Sequence, residues 1–140
     1  MLVFVKLGGS LITDKTSEQV FLQARTAQLA AEIAAALRSG AELRLLIGHG
    51  SGSFGHVTAH EYGTMRGVGT PDQWRGFAQV STVAAKLNGL VAAEMETAGV
   101  PVMRFQPSAS APSRDGAIMS LTTMPIERAL ANDLVPLVYG

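Results

Sequence analysis

Two short apolar runs end abruptly in glycine, and this pairing limits the folds open to the chain. Leu2 to Leu7 reads LVFVKL and meets Gly8 and Gly9 at once. Leu43 to Ile47 reads LRLLI and runs into Gly48, Gly50 and Gly52. Apolar runs of this length, bounded by turn signals, read as buried strands. Between them, Gln23 to Arg38 is alanine-rich, carries Leu29, Ile33 and Leu37 at four-residue spacing, and is followed by Gly40. That is an amphipathic helix with a glycine stop. A strand, a long helical crossover and a second strand imply parallel pairing.

The alternation continues. Thr70 and Pro71 supply a capping hydroxyl and a proline at the first helical position. The helical pattern then runs to about Thr97 and stops at Gly99, with Gly76 expected to kink or loosen it. Val100 to Phe105 reads as a third strand, Ala117 to Leu121 as a short strand or hairpin arm, and Pro125 to Ala131 as a short helix. Leu134 to Tyr139 reads as a last strand, with Pro136 tolerated near its start. Pro107 to Gly116 is the most loop-like stretch, and no internal repeat is visible. The fold class expected is α/β: a three-layer αβα sandwich with a mainly parallel open sheet. Its 140 residues suit one domain with a real core. Because Gly140 follows an apolar strand directly, the chain is expected to be part of a longer polypeptide.

Composition narrows the function. Eleven basic side chains balance eleven acidic ones, against the basic excess of a nucleic-acid-binding face. With no cysteine, disulfide frameworks, zinc–thiolate sites and cysteine nucleophiles are excluded. MLVFVKLGGS is too short an apolar stretch to span a membrane and lacks a signal-peptide pattern, so a cytoplasmic location is the default expectation.

The chemistry lies in the two glycine turns. In open α/β sheets, ligands bind beyond the carboxyl ends of the strands. Glycine lets backbone N–H groups approach an anion closely. Neither turn is a Walker A motif or a dinucleotide fingerprint, and glycines after strands are more often plain turns. The cations shift that balance. Lys6 sits within an otherwise apolar strand, where burial is costly unless the amine meets an anion. The alternative is an edge position with the amine reaching water. Lys15 follows the first turn, and His56 closes the second, where a helix is expected to begin and an imidazole can donate to a phosphate oxygen. His49 is a candidate for a supporting role, and His60 is expected one helical turn beyond His56. Ser51 and Ser53 are not part of a nucleophile elbow. Asp14, Asp72, Asp115 and Asp133 read as turn or capping residues.

With these residues in view, the chain resembles a known family. KLGGSLITDK is similar to the opening of the amino-acid kinases, which include acetylglutamate, glutamate 5-, uridylate and isopentenyl phosphate kinases. HGSGSFGH, from His49 to His56, resembles the acceptor loop of isopentenyl phosphate kinases and of the related fosfomycin-resistance kinases. Gln106 to Ala109 and Val135 to Gly140 also resemble the isopentenyl phosphate kinase pattern. The resemblance runs the whole chain and implies ATP-dependent phosphorylation of isopentenyl phosphate, with magnesium brought by ATP and no protein metal ligands in this half. It implies that Lys6 and Lys15 neutralise the transferred group and the ATP phosphates, and that Gly8, Gly9 and Ser10 contact ATP phosphate. Gly50, Ser51, Gly52 and Gly55 would cradle the acceptor phosphate while His56 holds it in line. The helix after Pro71, with Phe77, Val80, Val83, Ala84 and Leu87, would line the isoprenoid pocket, although most of these are expected in the core. Residues 1–140 would then be the phosphate-acceptor lobe, the ATP-binding half would be absent, and the isolated chain would have little or no kinase activity. The family also makes a homodimer possible. Gly48 departs from the family pattern, which often has valine there. A kinase for another small phosphate or phosphonate such as fosfomycin, a non-catalytic anion-binding module, and a plain structural domain stay open as alternatives.

Overall fold

A computed structural model describes residues 1–40 and 42–140. Strand β1 (Leu2–Leu7) leads into a single-turn helix α1 (Gly9–Ile12). Helix α2 (Gln23–Arg38) then crosses to β2 (Arg44–His49). Helix α3 (Gly52–Glu61) follows β2 after two residues, and a 3₁₀ turn over Thr64–Arg66 leads to the long helix α4 (Pro71–Thr97). Next come β3 (Val102–Phe105), the two-residue strands β4 (Ser113–Arg114) and β5 (Ala117–Ile118), helix α5 (Met124–Leu130) and β6 (Val135–Tyr139).

The main sheet is parallel throughout, in the order β1-β2-β6-β3. Crossover handedness explains where the helices go. The moves from β1 to β2 and from β2 to β3 run in one direction, so right-handed crossovers put α2 and α4 on the same face. The return from β3 to β6 runs the other way and sends α5 to the opposite face. The core follows this division. Leu7, Leu45, Ile47, Val135 and Leu137 on one face of the sheet pack with Ala30 and Ala34 of α2 and with Leu87, Val91 and Met95 of α4. Ala129 and Leu130 of α5 are buried outside that cluster.

The parallel α/β architecture expected from the alternation is therefore present. The layer opposite α2 and α4 is carried by α5 alone among the described residues, which corrects the expectation of a buried first strand. Strand β1 lies at the sheet edge, its even-numbered residues are exposed, and Phe4 is 70% exposed. Lys6 shares that exposed side, so its amine reaches water and no buried charge needs an anion.

Local signals act where expected. Thr70 and Gln73 form a full capping box in front of Pro71. Asp115 and Gly116 both have positive φ, 51° and 77°, the conformation of a type I′ turn, and join β4 to β5 as a hairpin. Pro136 lies in an interior strand rather than at an edge. It is accommodated because the Val135 N–H donates to Pro101 O, and pairing with β2 begins only at Leu137. Gly76 does not loosen α4. A side chain there would collide with the Tyr62 ring, so this glycine lets α4 approach the end of α3 closely.

Candidate functional site

Parallel pairing brings the two glycine turns side by side. Lys6 is in register with Gly48 and Leu7 with His49, so both turns leave the sheet at the same carboxyl edge. They then pack backbone on backbone. A Cβ on Gly9 would lie 2.6 Å from Gly52 Cα and 2.7 Å from Gly52 N. Gly52 has φ +51°, and a side chain there would also strike Thr13. Only glycine satisfies both conditions.

Thr13 fastens the two turns together. It is 1% exposed; its hydroxyl donates to the Gly9 carbonyl at 2.8 Å and accepts from the Ser53 N–H at 3.1 Å. Sequence reasoning missed this residue. Its signal, a lone threonine in LITDK, is too common to single out. Just beyond it, Asp14 accepts from the Thr16 N–H at 2.8 Å and from the Thr16 hydroxyl at 2.7 Å, shaping the loop that carries Lys15. These bonds hold the Asp14 carboxyl below its ordinary range. Asp14, Asp115 and Asp133 are thus turn residues, the last two at positive φ, and Asp72 sits in the first turn of α4.

The backbone of the second turn has the form of a concave nest, a geometry suited to an anion. Ser51 is right-handed and Gly52 left-handed, which makes neighbouring N–H groups converge as a nest. Gly50, Phe54 and Gly55 donate their N–H groups to Leu7 O, Ser51 O and Ser51 O. The Ser51 and Gly52 N–H groups have no acceptor among the described residues. Ser53 Oγ is buried without a hydrogen-bond partner, which is costly unless a ligand or water supplies one. All of this stands at the N-terminus of the ten-residue helix α3, whose dipole favours negative charge.

A cavity of about 490 Å³ opens in front, lined by Gly9, Ser10, Lys15, Gly52, Ser53 and His56, with Glu18 and Val57 also at its wall. The expected site residues thus divide. Gly9, Ser10, Lys15, Gly52 and His56 meet around this one cavity. Lys6 and Gly50 line a second, more open hollow of about 400 Å³ beside it, with Phe4, Val138 and Tyr139. Gly8 lies in open space between strand and helix, and Ser51 forms the crest of the nest. Gly55 is placed differently from the cradle expected: its N–H is taken by Ser51 O, and a Cβ there would lie 2.5 Å from Ser51 Cβ. It supplies room for Ser51 rather than a donor. Helix α3 begins at Gly52, so His56 stands one turn inside it, with His60 a turn further on. Of the apolar residues expected along α4, Ala84 and Leu87 are buried, whereas Phe77 is exposed and meets Trp74 edge to face.

Behind the second turn lies His49, 4% exposed. Its Nδ1 is 3.0 Å from Gly50 O, its Nε2 is 3.0 Å from Asn88 Nδ2 of α4, and its ring stacks on Tyr139 at 5.8 Å between centroids. Burial pushes its pKa down from the ordinary value, partly offset by the Gly50 hydrogen bond.

Comparison with known proteins bears on this site. The profile described as the amino acid kinase family matches residues 1–140. The isopentenyl phosphate kinase of Methanothermobacter thermautotrophicus (strain ATCC 29096 / DSM 1053 / JCM 10044 / NBRC 100330 / Delta H) is 33% identical over 143 residues, covering 99% of this chain and 53% of the relative. An X-ray structure of isopentenyl phosphate kinase superposes with TM-score 0.90 at 34% identity, covering 100% of this chain and 57% of that one. A crystal structure of an isopentenyl phosphate kinase substrate complex superposes with TM-score 0.82 at 28% identity, covering 100% and 54%. The chain spans about half the length of the curated relatives it matches.

Proposed function

The chain belongs to the amino acid kinase family, and from that premise we propose that residues 1–140 form the phosphate-acceptor lobe of an ATP-dependent isopentenyl phosphate kinase. The observation that carries this reading is the cavity itself: Lys15 and His56 line it together with Gly9 and Gly52 of the two glycine turns. The relatives named isopentenyl phosphate kinase support the choice of acceptor.

In this reading the Ser51 and Gly52 N–H groups, the unpartnered Ser53 hydroxyl and the His56 imidazole hold the acceptor phosphate. Gly8, Gly9, Ser10, Lys6 and Lys15 face the ATP phosphates. Little covalent help is needed in phosphoryl transfer; the protein aligns two phosphates and screens their repulsion. The acceptor is a phosphate monoester, already largely ionised near neutral pH, so no general base is required. Mg²⁺ would arrive with the nucleotide, where it neutralises charge on the transferred group. The exposed apolar residues of α4, Phe77 among them, are the wall offered to the isoprenoid tail. A homodimer and a cytoplasmic setting belong to the same proposal; no helix is long and apolar enough to cross a membrane among the described residues.

Titration of the chain with isopentenyl phosphate and with inorganic phosphate tests this. The isoprenyl ligand is expected to bind more tightly. His56→Ala is expected to weaken it by tenfold or more, in keeping with about 1.5–3 kcal/mol for a hydrogen bond to a charged group. A folded chain that binds neither ligand, or an unchanged affinity in the alanine variant, would overturn the assignment.

A further inference from the structure

The Gly50–Ser51 peptide of the second turn begins at a glycine. A glycine precedes the peptide plane and offers no steric resistance to rotation. Yet its orientation matters, because the plane is rigid: wherever the Gly50 carbonyl points, the Ser51 N–H points the opposite way. The Gly50 carbonyl is held by His49 Nδ1 at 3.0 Å, which aims the Ser51 N–H away from the ring.

The tautomer follows without reference to hydrogen positions. A carbonyl oxygen only accepts, so Nδ1 must carry the proton. Neutral imidazole then has a bare Nε2, and that atom needs a donor. Asn88 supplies it, with Nδ2 at 3.0 Å. Asn88 is 1% exposed within α4, so its amide is not there to meet water. Tyr139, the β6 partner of His49 in the sheet, stacks on the ring within 9° of parallel and fixes its plane. Three elements therefore converge on one imidazole whose hydrogen bond ends in the glycine turn.

We propose that His49 is a positioning residue that locks the Gly50–Ser51 peptide so that the Ser51 N–H is presented to the bound anion, and that Asn88 completes the lock by donating to the bare Nε2. The link to an anion rests on the reading of the cavity as a phosphate site; the lock itself does not. His49 never touches the ligand. Protonation would cost the bond from Asn88 Nδ2 to the bare Nε2, and burial disfavours the charged ring, so the neutral ring is the form that fits. Tyr139 on β6 is the titratable residue stacked on this ring; Lys6 lines the same hollow from the other face of the sheet, since Leu7 is the register partner of His49. Arg104 acts on Tyr139.

Long-range proton–nitrogen NMR on the unmodified chain reads the tautomer of each of the three histidines directly. The expected result is a neutral His49 with the proton on Nδ1. A proton on Nε2 overturns the proposal. Two substitutions then separate positioning from packing. His49→Asn keeps a donor at the Nδ1 position and is expected to leave the Ser51 and Gly52 amide resonances, and inorganic phosphate affinity, within about threefold of the parent, whereas His49→Leu removes the donor and is expected to shift those resonances and weaken phosphate binding about tenfold, the loss of one charge-assisted N–H contact. If His49→Asn and His49→Leu behave alike, or His49→Leu leaves the Ser51 amide where it was, the lock does not exist. If the lock is seen while the parent chain binds neither phosphate nor isopentenyl phosphate, the positioning role stands and the kinase reading falls.

Discussion

At the scale of the residue, a few short polar side chains and two glycines hold the two turns together. Thr13 has one hydroxyl and uses it twice, as donor to Gly9 and as acceptor from Ser53. Thr13→Val keeps the shape and deletes both bonds, leaving a buried N–H without an acceptor. The expected loss is about 1–3 kcal/mol in a denaturant titration, with most of it restored in Thr13→Ser. His49 gives a pH signature. Its folded pKa lies below the ordinary 6.5 because burial penalises the charged ring. As pH falls below that value the unfolded chain binds the proton and the folded chain does not, so the unfolded state gains. Stability should be full above 6.5 and decline as pH drops from there through the folded pKa. His49→Asn should remove this component of the stability–pH curve. A curve identical to the parent's would show that burial of this ring does not set it. The sequence singled out His56 and Lys15, and both line one cavity, because their spacing from the glycine turns is local. It missed Thr13 and gave His49 no partner, because their partners, Ser53 and Asn88, lie 40 and 39 residues away.

At the scale of the element, glycine has opposite meanings at two positions that look alike in sequence. Gly48 lies in β2, and a Cβ there would sit at an ordinary 3.6 Å from Val138 Cγ2. Gly48→Ala should stabilise the chain by about 0.5–1 kcal/mol by reducing the freedom of the unfolded backbone. Gly76 lies in α4, where a Cβ would collide with Tyr62. Gly76→Ala should cost about 1–3 kcal/mol through overpacking, despite the better helix propensity of alanine. Thermal unfolding of both variants checks the pair, and equal shifts of the same sign would contradict the packing. Element boundaries were read well where a local signal acts. The capping box at Thr70 and the glycine at 99 bracket α4 as expected. The reading failed on exposure, because a run such as LVFVKL does not say whether one face of its strand will be covered.

At the scale of the whole molecule, the parallel sheet aligns two loops from separate parts of the chain at one edge, and that alignment is what brings two ordinary turns around one cavity. The proposed division of labour has a consequence here. If these residues form only the acceptor lobe, they can bind and orient one phosphate but lack the second set of contacts that in-line transfer requires. A coupled ADP-release assay on the 140-residue chain should show little or no turnover; robust turnover would show that the lobe reading is too narrow. What the sequence determined by itself was the order of strands and helices, the two glycine turns and the parallel α/β class, because periodicity, capping and backbone freedom are properties of neighbouring residues. Tertiary structure alone decided the strand order β1-β2-β6-β3, the exposed setting of Lys6, the close approach of Gly9 to Gly52 and the contacts of His49. Each of these depends on which distant segments share a surface, and pairing across such separations is set by crossover direction and core packing rather than by any local pattern.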